Sequence, residues 1–192
     1  MDPTERLLDD LFSGDDASAE AAVPALAHLG RLALDRLLPI LQTPDPDRRW
    51  WATRCLAEID LPEARAAMRA GLHDDAASVR QCAALGLRQS PTAEAIPDLS
   101  DALENGRGLT MRLAADALAA CGSSAIPALA KAAASSDPAV RIEAVRALAA
   151  MRDPAAIPSL YRALEDRSTL VGHWAEQGLE RQGMEMLNFQ PV

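Results

Sequence analysis

Aromatic side chains are scarce in this sequence. They make up 3% of its 192 residues, too few for the apolar face of a β-sheet, which draws on aromatic and β-branched residues. Basic residues are short too: 19 lysines and arginines against 28 acidic residues give a net charge of −9. That balance argues against a polyanion binder and makes nucleic acid a poor partner, while leaving room for a local basic face. There are three cysteines, Cys55, Cys82 and Cys121, with no CxxC pair and no metal-ligand spacing. An odd number set within apolar phrases reads as small buried packing residues in a reducing compartment. The amino end, MDPTERLLDDLF, lacks the basic start and apolar stretch of a leader. Neither a signal peptide nor a membrane span is expected, and the expected location is cytoplasmic.

Catalytic signatures are missing as well. The sequence holds no HExxH, no GxSxG, no phosphate-binding GxxxxGK[ST] and no dinucleotide fingerprint. Its histidines, His28, His73 and His173, are widely separated, and His73-Asp74-Asp75 reads as a solvated acidic turn rather than a cation site. The expectation is no catalytic residue, no cofactor and no metal.

What is abundant is repetition. The stretches DPDRRWWATRCLAEI (45–59) and DPAVRIEAVRALAAM (137–151) share Asp-Pro, then Arg, Ala, Arg, Leu and Ala at the same places. The leucine closing each such phrase recurs as Leu26, Leu56, Leu87, Leu118, Leu148 and Leu179, at gaps of 30 or 31 residues. Four residues before each stands an alanine: Ala22, Ala52, Ala83, Ala114, Ala144 and Ala175. Residues four apart share one helix face, and alanine there lets a neighbouring helix come close. Self-similarity at this period is the mark of a stacked-repeat architecture.

A second phrase alternates with the first: AIPDL at 95–99, AIPAL at 125–129 and AIPSL at 156–160, with weaker forms EARAAM at 63–68 and ALDRL at 33–37. Each predicts a helix, with Ser123 and Asp153 as N-caps and Pro91 and Pro154 as first helical residues. The phrase's own proline falls four or five residues in and removes little, because the first amides of a helix lack intrahelical partners. Pro39 lies deeper, which predicts a bend or 3₁₀ stretch. Asp45 and Asp137 are expected to cap their helices, with Pro46 and Pro138 in the first turn. Arg49, Arg80 and Arg141 recur at one slot and should form a structural ladder, reaching Asp or carbonyl groups of the adjoining repeat. Three units lack the arginine: Ala19 stands in its slot in the first, Gly172 in the last, and Met111 between Arg80 and Arg141.

The phrase D-P-x-V-R-x-x-A-x-x-A-L followed by A-I-P-x-L resembles HEAT repeats of the short bacterial kind found in phycobilisome lyases, over about residues 15–182. The resemblance implies an all-α, right-handed solenoid of five to six helix pairs of about 31 residues, capped at both ends. Residues 1–14 would be an N-terminal capping helix, its Leu7, Leu8, Leu11 and Phe12 covering the first repeat, and 183–192 a tail. In that tail Met186, Leu187 and Phe189 would fold back or serve as a linear motif.

In such repeats the Asp-Pro-Val-Arg helices resemble those lining the concave surface. The slot after the ladder position then faces the groove: Trp50, Gln81, Arg112, Ile142 and His173. One turn on come Arg54, Leu85, Asp116, Arg146 and Gln177. Trp and Arg are the residue types that most often carry interface energy, so Trp50 beside Arg54 is the leading candidate, with Trp51 facing the core. The resemblance implies a non-catalytic adaptor, scaffold or inhibitor that binds a protein partner through the concave face, as a monomer or within a hetero-complex. The alternative is a bilin-lyase-type enzyme using the same groove for a small molecule. Two other helical-repeat enzyme types fit less well: iron-dependent deoxyhypusine hydroxylases need His-Glu pairs, which the chain lacks, and alkylpurine DNA glycosylases need a basic groove.

Overall fold

The computed structural model describes residues 2–184. The tail residues Met186, Leu187 and Phe189 lie outside them. Among the described residues there are twelve α-helices and no strand. The chain groups into two compact units, Met1–Ser90 and Pro91–Val192.

The first unit opens with α1 (Pro3–Leu11), capped by the Asp2 carboxylate accepting from the Thr4 amide. Then come α2 (Asp16–His28), α3 (Arg31–Leu37), α4 (Pro46–Leu56), α5 (Pro62–Gly71) and α6 (Ala77–Gln89). Leu11 is fully buried, and Leu7, Leu8 and Phe12 pack against the same core, so α1 covers the open side of α2. The second unit holds α7 (Ile96–Asn105), α8 (Leu109–Ala120), α9 (Ile126–Ala132), α10 (Pro138–Met151), α11 (Ile157–Ala163) and α12 (Thr169–Arg181).

Even-numbered helices carry the Ala–Leu phrase; among the odd-numbered ones α7, α9 and α11 carry the AIPxL phrase, α3 and α5 its weaker forms, and α1 neither. All six repeating leucines and all six repeating alanines are buried. Within each unit an even helix packs on the next even helix and on the odd helix preceding it, α4 on α6 and α10 on α8 and α12. The approach is closest at Gly86 and Gly178, one residue before the repeating leucine. A Cβ on Gly178 would stand 2.9 Å from the Ala149 Cα, and one on Gly86 would stand 2.9 Å from the Ala57 Cβ.

Helix starts follow the sequence where the cap is an aspartate. Asp45 accepts from the Asp47 and Arg48 amides, and Asp137 from the Ala139 amide, each with proline in the first turn. Pro39 sits in a 3₁₀ turn, Leu38–Gln42, that continues α3. The starts of the AIPxL helices are different. A 3₁₀ turn precedes each of α7, α9 and α11 (Ala93–Ala95, Gly122–Ala125 and Pro154–Ala156), which moves Pro97, Pro127 and Pro158 to the second helical residue. Asp153 caps as expected, accepting from the Ala155 amide. Pro91 and Ser123 do not take the expected roles. Pro91 lies before the turn, which Thr92 begins, and the Ser123 hydroxyl donates to the Asp153 carboxylate instead of capping its own helix.

Candidate functional site

On α4, α6 and α10 the ladder arginine takes up one side of the helix and leaves the next slot free of that role. The Arg49 guanidinium donates from Nε and one Nη to both carboxylate oxygens of Asp74 at 2.8 Å, and from its other Nη to the Thr43 carbonyl at 2.9 Å. Arg141 repeats this with Asp166 at 2.8 and 3.1 Å and with the Ser135 and Ser136 carbonyls. Both acceptors lie in the loop before the next even helix, so each rung ties one repeat to its neighbour. The hydrogen bond from Arg49 holds the Asp74 carboxyl below the ordinary aspartate range, and Arg141 does the same for Asp166. Asp74 is therefore not part of a solvated acidic turn. It is a rung end, its side chain only 13% exposed. Arg80 is held by the Asp74 and Asp75 carbonyls at 2.6 and 2.8 Å, within its own repeat.

On α4 the next slot is Trp50. Its ring meets Trp51 edge to face, centroids 4.7 Å apart and planes at 83°. Trp51 packs against the core, yet both indoles are half-buried and both line one surface cavity, so neither is wholly inside. One turn along, Arg54 donates to Glu58 at 2.7 Å and reaches Glu20 of α2 at 3.4 Å. Burial opposes its charge, but the Glu58 hydrogen bond and the Glu20 field outweigh that and hold its pKa above the ordinary value. Glu20 occupies in the first repeat the slot that Trp50 holds in the second, 30 residues earlier. Its place in the row is hidden in the sequence because Ala19 breaks the arginine slot there. On α6, Gln81 is half-buried and Leu85 exposed.

In the second unit the same slots give a different surface. Arg112 is exposed on α8, and Asp116 one turn on receives Arg146 of α10 at 2.7 Å. Arg146 also donates to Glu143 at 2.7 Å and reaches the Arg112 carbonyl at 3.5 Å. Ile142 is half-buried beside them. On α12, exposed His173 meets Trp174 edge to face at 5.6 Å, and Gln177 accepts from Arg181 at 3.3 Å. The structure thus joins Asp116 to Arg146, while Arg54 finds its partners in Glu20 and Glu58. Glu143 and Glu20 were not anticipated.

Cys55 and Cys82 are buried as expected, and burial pushes both thiols up to about 12; Cys121 is half-buried with its pKa raised by burial. No helix among the described residues is long and apolar enough to cross a membrane.

Profile comparison matches HEAT repeats at residues 4–88, 34–119 and 96–180, which together take in nearly the whole sequence. The chain belongs to the HEAT-repeat family. No curated protein matches the sequence. Among solved structures, this HEAT-repeat chain is similar to YibA of Escherichia coli, at 17% identity and TM-score 0.63, over 91% of this chain and 69% of that one. It is also similar to the CpcE–CpcF complex of phycocyanin lyase from Nostoc sp. PCC7120, at 21% identity and TM-score 0.57, over 95% and 78%. A designed armadillo repeat protein in complex with the peptide (KR)4 aligns at 17% identity and TM-score 0.51, over 94% and 99%. At these identities the likeness is one of fold. It is an all-α repeat solenoid, a scaffold that commonly mediates protein interaction.

Proposed function

We propose that this HEAT-repeat protein is a non-catalytic binding module, an adaptor, scaffold or inhibitor, that engages a protein partner through the recognition face of its even-numbered helices. One observation carries the reading. Along each even helix the buried slots repeat the same alanine and leucine, while the slot after the ladder position is half-buried or exposed and changes chemistry every time: Glu20, Trp50, Gln81, Arg112, Ile142, His173. A stack needs only the constant slots, so the variable row is where a particular partner would be read. The complex of a designed armadillo repeat protein with the peptide (KR)4 supports this use of a similar scaffold. Buried cysteines fit action in the reducing cytoplasm, as a monomer or within a hetero-complex.

The test is affinity capture from lysate of the source organism, with wild type and Trp50→Ala/Arg54→Glu as paired baits and mass spectrometry of what is retained. A protein held by wild type and lost from a still-folded variant supports the reading. Identical retention by both baits overturns it at this face. Visible absorbance of a bound tetrapyrrole in the purified protein would favour a lyase-type use of the groove instead.

A further inference from the structure

The first unit carries a cavity of about 600 Å³ where the end of α1 meets the beginnings of α2 and α4. Its aromatic walls are Phe12, Trp50 and Trp51, and its acidic walls are Asp16, Glu20, Asp45 and Asp47. We propose that this cavity receives an arginine side chain from an extended segment of the partner protein. The proposal rests on the protein-binding reading above and names the chemistry of the partner at one point.

Charge decides the class of occupant. Asp45 is committed to capping α4, and Asp16 and Asp47 sit in the first turns of α2 and α4, where each helix contributes about half a positive charge. Arg48 adds one more. Arg54 reaches Glu20 at 3.4 Å but is shared with Glu58, so roughly one to two negative charges remain uncompensated on the wall, and the aromatic faces present their own negative quadrupoles. A cation is the complement of both. Among the described residues no three His, Cys, Asp or Glu side chains are grouped to hold a metal ion, so the geometry favours an organic cation that takes up its charges singly.

Arginine fits better than lysine because its flat, weakly hydrated guanidinium stacks on rings and binds carboxylates through two parallel donors. The chain already shows this pose at the cavity's margin: the Arg48 guanidinium carbon lies 4.4 Å from the centroid of the Phe12 ring. Trp50 and Trp51 keep half-exposed surfaces beside it. The volume falls within the range of about 300–1,000 Å³ usual for ligand pockets, with space for the guanidinium, its stem and the flanking peptide.

The full-length protein, isotope-labelled at nitrogen, is titrated with acetyl-Gly-Arg-Gly-amide, and with its lysine and citrulline counterparts, while indole N–H resonances are followed by NMR. Expected is a saturable shift of Trp50 and Trp51 with Trp174 unmoved, a weaker response to lysine and none to citrulline, which keeps the shape and loses the charge. Glu20→Gln/Asp47→Asn, both exposed and conservative, should weaken the arginine response about tenfold. Non-saturating shifts, an equal response to citrulline or lysine, or an equal shift at Trp174 would overturn the assignment. A silent peptide, together with a partner that Trp50→Ala/Arg54→Glu still loses, refutes the cavity alone. Saturable peptide binding with identical retention by both baits refutes the protein-binding reading and leaves the cavity standing.

Discussion

Helices α4 and α10 each carry two arginines five residues apart, and the two are held in different ways. Arg49 and Arg141 grip both oxygens of one aspartate, the side chains on either side of each rung being 14% exposed or less. Arg54 lies between Glu20 and Glu58, side chains 50% and 41% exposed, with one contact stretched to 3.4 Å. Arg146 is intermediate, with short bonds to Asp116 and Glu143 and 14% exposure of its own. The same residue type on the same helix thus serves as a fixed strut on one side and as a loosely tethered, exchangeable charge on the other. A partner carboxylate can compete for Arg54 far more readily than for Arg49, because water already does.

The contrast can be broken most forcefully at Met111, the slot where α8 lacks the strut. Met111 is 4% exposed, and the loop position matching Asp74 and Asp166, two residues before the next helix cap, holds Ser135, whose hydroxyl accepts from the Asp137 amide. Met111→Arg should therefore bury a charge without a counter-ion and destabilise by about 3 kcal/mol. Met111→Arg/Ser135→Asp should recover most of that loss in a denaturant titration. Removing an existing strut comes next: Arg141→Met leaves Asp166 without its partner and should lower Tm by roughly 4–8 °C, corresponding to about 2 kcal/mol. Arg146→Met should cost about 1 kcal/mol and Arg54→Met about 0.5 kcal/mol, within the range of exposed pairs. Were Arg54→Met as damaging as Arg141→Met, the division into strut and tether would fall.

Acid sharpens the same comparison. Asp74 and Asp166 have folded pKa values below the ordinary 3.8. Each therefore contributes stability that is complete above that ordinary value and is lost as pH falls through the depressed one. Urea midpoints should decline from about pH 4 downward in wild type, and the decline should be shallower in Asp166→Asn. Trp50→Ala ranks among the smaller effects: it removes one edge-to-face ring pair, about 0.5–1.5 kcal/mol, and thermal unfolding should register it as a shift of a few degrees.

The stack itself was legible. Period, paired alanine and leucine, and aspartate–proline caps each follow from a physical rule that acts within one repeat. The struts were half legible: the arginine slot stood out, and Arg49–Asp74 and Arg141–Asp166 share a spacing of 25 residues that could have named the acceptors. The pairing is visible even in its absences: Met111 is followed by Ser135 and Ser136, 24 and 25 residues on, and Arg80 by Asn105, none of them a carboxylate, and Arg80 turns to carbonyls instead. Less could be read where two local options compete. Whether a serine caps its own helix or donates to a neighbour, as Ser123 does, depends on which acceptor the fold brings near. The tilt of Trp50 against Trp51 is a matter of side-chain rotation that helix periodicity does not encode.

The buried thiols carry a consequence for watching this protein breathe. Cys55 and Cys82 meet reagent only when the first unit opens, and with pKa values near 12 they hold almost no thiolate at neutral pH while folded. Half-buried Cys121 belongs to the second unit. The alkylation rate of each cysteine, followed by mass spectrometry on the unmodified chain, is therefore a natural clock for local opening, with Cys121 labelled first and the pair in the first unit reporting the opening of that unit.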